Sequence, residues 1–193
     1  MNSKQKSTRL AVLALFTALT IALQFLSYFV KIGNFSLSLV LIPIVLAGAM
    51  YGVKCGAFLG GVFGVITVIG CISGIDSGGN ILFNASPLLT ILVCMLKGIL
   101  CGAASAAISN LLKAKSPTLA VVLAAAAAPI VNTGTFLIIM VLFFKDILYS
   151  WANGTNLASY IIVGLVGINF IIEFTINLVL SPAIIRVIKV LKK

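Results

Sequence analysis

Long apolar runs separated by short polar clusters set the pattern of this chain. A helix that crosses a bilayer needs about 20 mostly apolar residues, at about 1.5 Å of rise each. Six stretches meet or approach that length: residues 9–29, 37–53, 55–72, 87–112, 117–144 and 159–191. The second is short and follows a polar turn of Lys31, Ile32, Gly33 and Asn34. A loop rich in Gly, Ser and Asn covers residues 73–86. Ser86 and Ser116 each precede a proline, Pro87 and Pro117, which predicts an N-cap followed by a proline in the first turn. The last two stretches exceed one bilayer thickness, so they tilt or extend beyond it. The pattern predicts an all-α integral membrane protein, a single domain over residues 1–193 built as a bundle of six transmembrane helices.

Charge orients the bundle. Basic residues concentrate on cytoplasmic loops. With the N-terminus inside, ten of the 13 Lys and Arg residues, among them Arg9, Lys54, Lys113 and Arg186, face the cytoplasm. Only Lys31 and Lys145 fall outside, and Lys97 lies within a span. Both termini are then cytoplasmic, as an even number of spans requires. The first run shows no clear cleavage site and reads as a retained helix.

Composition removes whole classes of function. The chain is 62% hydrophobic and 8% charged, with mean hydropathy +1.27. A soluble domain is about 45–50% apolar and about 25% charged, which excludes an ordinary soluble enzyme. The absence of His removes imidazole general-base chemistry and His-ligated metal sites. A net charge of +10 suggests nucleic acid, but the charges sit at the ends of apolar runs and form no stripe. Cys55, Cys71, Cys94 and Cys101 show no C-x-x-C spacing and read as small buried residues, with no metal or cofactor expected. No phosphate-binding loop is present, so ATP is not hydrolysed by that route.

Small residues predict packing seams, because helices in lipid associate by close approach. Gly56, Gly60 and Gly64 share one face of the third helix; Gly98, Gly102 and Ala106 share one face of the fourth. Ala14, Ala18 and Ala22 form a stripe on the first, read either as packing inside the bundle or as a docking face for another membrane protein.

Polar groups at membrane depth point to a site. Lys97, Asn132 and Glu173 lie about 15, 18 and 21 Å from the outer ends of their helices. A charge there is expensive and faces a partner or a cavity. Asn169, Glu173 and Asn177, spaced by four, line one face of the last helix. Asn132, Thr133 and Gly134 follow Pro129, where a lost backbone hydrogen bond would open the helix and expose carbonyls. Two readings stand side by side: a buried Lys97–Glu173 pair, and a polar pocket for a small solute. The outer loops at 33–36 and 73–86 suit gating or serve as plain connectors. Asp76 and Asp146 fall in outer loops, and Tyr149 and Trp151 read as interfacial anchors. A standalone secondary carrier would use Glu173 as its titratable group; a structural subunit would bind nothing.

The chain resembles the substrate-binding S components of energy-coupling factor (ECF) vitamin transporters over nearly its whole length. The resemblance lies in Ala14 and Ala18, extended by Ala22; in residues 35–48, FSLSLVLIPIVLAG; in Tyr51 and Gly52; and in the glycines from Gly56 to Gly64. It implies a multi-pass protein of a bacterial plasma membrane, not itself an enzyme. Such a protein captures a micronutrient from outside, near the outer ends of helices four to six. It docks through helix one to a transmembrane coupling protein, two separate ATPases drive the cycle, and it topples to release its load. Carried onto this chain, Ala14, Ala18 and Ala22 become the docking face. Asn84, Lys97, Asn132, Thr133, Asn169 and Glu173 are the pocket candidates, on the polarity argument above. A buried cation among amides suits a small hydroxylated carboxylate. The passages SLVLIP (38–43) and PIVNTG (129–134) are similar to members that take pantothenate; riboflavin and pyridoxine-type vitamins are the alternatives.

Overall fold

The computed structural model describes residues 3–32, 35–36 and 38–191. Gly33 and Asn34, which fall in an expected outer loop, Leu37, and the basic residues Lys192 and Lys193 lie outside the described residues. The chain folds as an all-helical bundle: α1 (Ser3–Ser27), α2 (Leu41–Tyr51), α3 (Val53–Ser73), α4 (Ser77–Ala85), α5 (Pro87–Leu112), α6 (Pro117–Phe143), α7 (Lys145–Ala152), α8 (Leu157–Ser159), a π-helical segment (Tyr160–Gly167) and α9 (Ile168–Leu191). A two-residue antiparallel pairing, β1 (Lys31–Ile32) with β2 (Phe35–Ser36), closes the turn after α1.

Five of these helices are long and apolar enough to cross a membrane, and α2 is a shorter apolar helix. Its 11 residues reach about 17 Å, well under a hydrocarbon core of about 30 Å. The second apolar stretch therefore yields a shorter helix than its length in sequence suggests. Residues Ser38 to Val40 stay outside the helix, and Gly52 ends it at φ 87°, so that α3 starts one residue later. What α2 lacks in length it makes up in burial. A helix apolar on all sides belongs in a core. Leu41, Ile44, Val45 and Ala47 are fully enclosed, packed against Leu59 and Phe63 of α3 and Ala124, Ala125 and Ala128 of α6.

The glycine seams meet each other. A Cβ on Gly60 would run into the Gly98 carbonyl oxygen, and one on Gly98 into that of Gly60. Gly56 and Gly102 stand in the same relation one turn away, and a Cβ on Gly64 would lie 2.8 Å from the Cys94 carbonyl oxygen. Helices α3 and α5 thus touch backbone to backbone, and α2 joins them where Gly48 faces Ala106.

Elsewhere local chemistry departs from the sequence pattern. The glycine-rich loop at 73–86 contains a helix, α4, because Asp76 caps it: its carboxylate accepts from the Gly79 amide at 3.1 Å. Residues after α6 form α7, whose Leu148 and Ala152, four apart, bury one face near Met140, Phe144 and Leu165. Helix α6 continues unbroken through Pro129, where an opening was expected. Ser86 and Ser116 both stand at the N-cap as expected; only the Ser116 hydroxyl makes the cap bond, to the Leu119 amide at 3.3 Å. All four cysteines are buried and free. Arg9 donates to the Cys55 sulfur at 3.1 Å and covers the Tyr51 ring, tying the start of α1 to the α2–α3 junction.

Candidate functional site

A cavity of about 60 Å³ opens among α1, α3, α5, α6 and α9. At roughly 10–15 Å³ per water, it has room for several waters. Five of the six pocket candidates, Lys97, Asn132, Thr133, Asn169 and Glu173, line it. Asn84 does not. It sits on α4, where its amide donates to Asn80 Oδ1 at 3.1 Å in an exposed position.

Lys97 enters from α5, one residue before the seam glycine Gly98, which holds its backbone close to α3. Its Nζ lies 5.4 Å from the centre of the Phe63 ring and 5.6 Å from that of Phe136. Ammonium over two aromatic faces is favourable, at about 0.5–2 kcal/mol each. Among the described residues no hydrogen bond or ion pair reaches this Nζ. The geometry therefore differs from a direct Lys97–Glu173 pair: both residues line one cavity, each with other neighbours.

Glu173 is 5% exposed. Its Oε1 accepts from the Ser38 amide at 2.6 Å, which binds α9 to the segment just before α2. One turn further along α9, the Asn177 side chain donates to the Glu173 carbonyl at 2.8 Å. The expected Asn169, Glu173 and Asn177 face is thus real, but only its first two members reach the cavity. On α6, Asn132 is buried and its Oδ1 has no donor among the described residues. Such an atom is costly to leave unpaired, by about 1–3 kcal/mol.

Several lining residues were not read from the sequence. Gln24 of α1 is a polar residue deep inside an apolar run, the same signal that marked Asn132. Asp76, expected in an outer loop, is 6% exposed and lines the cavity while capping α4. Thr67 and Ser38 complete the polar wall. Phe63, Phe136 and Phe170 supply aromatic surface, and nothing in sequence distinguishes them from the chain's other phenylalanines.

Helix α1 shows two opposite faces. Phe16, Thr20, Gln24 and Ser27 are buried against the bundle. Ala14, Ala18 and Ala22 point the other way and are exposed. Packing inside this bundle does not account for the alanine stripe.

Long apolar helices surround a buried polar cavity, the architecture of a multi-pass membrane protein. The chain matches the family of the ECF transporter substrate-specific component over residues 8–185, and it belongs to that family. It is accordingly a substrate-binding subunit of a transporter and not an enzyme. No curated protein matches the chain.

Proposed function

We propose that the chain captures a small water-soluble vitamin from outside a bacterial plasma membrane, with pantothenate the leading candidate. The observation that carries this reading is the cavity's imbalance. It holds one ammonium, Lys97, with no hydrogen bond or ion pair among the described residues, while the carboxylates that share the wall, Asp76 and Glu173, each already accept from a backbone amide. It also holds acceptor oxygens on Gln24 and Asn132 that lack donors. A ligand that corrects this imbalance carries an anion and hydrogen-bond donors. Pantothenate has a carboxylate, hydroxyls and an amide.

In this reading Lys97 pairs the carboxylate, and Asn132, Thr133 and Asn169 bond the hydroxyl and amide groups, with Glu173 as a further acceptor. Asn84, exposed on α4, would contribute at the cavity's margin. Ala14, Ala18 and Ala22 dock to a transmembrane coupling protein, with two ATPases as the motor; their exposure supports that role.

The test is to purify the chain, denature it and identify any released small molecule by mass spectrometry. The proposal expects one vitamin at close to one per chain, diminished in Lys97→Ala. Release of a cationic compound lacking any carboxylate would refute the anion assignment.

A further inference from the structure

Helix α1 carries Gln24 into the cavity wall, beside Tyr28 just past the end of the helix. Gln24 is 3% exposed. One turn on, the Tyr28 hydroxyl donates to the Ile66 carbonyl of α3 at 2.8 Å. That hydroxyl has spent its only hydrogen. The Gln24 side chain lies near the same hydroxyl, which has no hydrogen left to offer it. Its Oε1 is buried, and among the described residues nothing donates to it. Tyr28 is itself fixed, because it fills the space over Gly70, where a Cβ would collide with its ring and hydroxyl. A buried, unpaired amide oxygen in a polar cavity wall is an acceptor held for something outside the chain.

We propose that Gln24 accepts a hydroxyl or amide hydrogen bond from the cargo, and that this bond ties the cargo to the helix whose opposite face carries Ala14, Ala18 and Ala22. The inference rests on the capture reading above and adds α1 to the binding elements. Asn132 Oδ1, from α6, is a second waiting acceptor. The cargo class is then an anion bearing at least two hydrogen-bond donors away from its charge. Occupancy of the cavity is felt on α1 itself, so the bound chain presents a more firmly held docking helix than the empty one.

The test uses the full chain in detergent, with pantothenate, riboflavin, pyridoxine and thiamine as probes, and compares it with Gln24→Met. Methionine keeps the length and apolar bulk of the side chain and removes the acceptor. Without vitamin, the variant is expected to unfold at or above the wild-type temperature, since a buried unpaired oxygen is gone. With the vitamin that binds wild type, its Kd rises at least about tenfold. Hydrogen exchange at residues 24–30 slows on binding in wild type and not in the variant. Unchanged affinity in the variant overturns the proposal, as does cargo protection confined to α5, α6 and α9. If wild type binds none of the four probes, the capture reading itself is what fails. The unfolding comparison then still decides Gln24. A variant that unfolds several degrees below wild type shows that Oε1 was satisfied within the protein, and the proposal falls; one at or above wild type upholds the free acceptor.

Discussion

The α3–α5 seam and the cavity beside it are built from opposite materials. In the seam, Gly56, Gly60, Gly98 and Gly102 bring two backbones together so closely that no side chain fits between them. One turn from Gly64, the walls turn polar at Thr67 and Lys97. The seam is complete in itself: it needs nothing but small residues in register. The cavity is incomplete: it contains an ammonium without an anionic contact and acceptors without donors. The lesson is one of division of labour. Close backbone packing supplies a rigid wall, and rigidity lets unsatisfied groups persist beside it instead of collapsing onto one another.

The largest expected effect breaks the seam. Gly60→Leu or Gly98→Leu places a branched side chain against a carbonyl, where overpacking costs ~3 kcal/mol or more. The protein should no longer extract as a monodisperse species, as gel filtration in detergent would show. Gly134→Ala, at a helix position with nothing within 4 Å, should leave elution and unfolding temperature unchanged or slightly raised. If the two substitutions behave alike, the seam is not what holds the wall.

Next comes a change that spares both regions. Ala14→Phe with Ala18→Phe alters only the outward face of α1. Vitamin binding by the isolated chain should stay within about twofold, while uptake by cells that express the full transporter falls to background. That uptake should depend on ATP inside vesicles and ignore an ionophore. Loss of binding with uptake machinery still assembled would show that this face serves the bundle instead. Uptake without ATP, abolished by Glu173→Gln, would mean a standalone carrier.

Within the cavity, Lys97→Ala should fold normally and weaken binding of an anionic vitamin by about 2 kcal/mol, roughly thirtyfold in Kd. The smallest effect belongs to the cap of α4. Asp76→Ala removes the acceptor for the Gly79 amide and should lower stability by about 1 kcal/mol, read from thermal unfolding. A binding loss in Asp76→Ala that exceeds this stability loss would place Asp76 among the groups that touch cargo.

The seam was legible in the sequence because its signal is periodic and its chemistry is absolute: only glycine permits contact at that distance, and glycine recurs every fourth residue. The cavity was legible in part. Lys97, Asn132 and Glu173 stand out because polar atoms at membrane depth need a reason. Gln24 carries the same signal in α1, where the alanine stripe dominates the pattern of the helix. Asp76 was placed in a loop because its segment is rich in Gly and Ser, and α4 forms there only through its own cap. The length of α2 was overestimated because apolar composition does not mark where a helix starts, and Gly52 ends it with a turn that needs positive φ.

The central claim is that the cavity awaits a small anionic vitamin, and fluorescence titration of the purified chain tests it most directly. Trp151, the only tryptophan, packs with Leu148 and Leu165, and Leu165 lines the cavity. Its emission should change saturably with one vitamin, pantothenate first among them, and the curve should shift to weaker binding in Lys97→Ala. An emission change that saturates equally in wild type and Lys97→Ala, or appears only with a vitamin that carries no anionic group, would contradict the account.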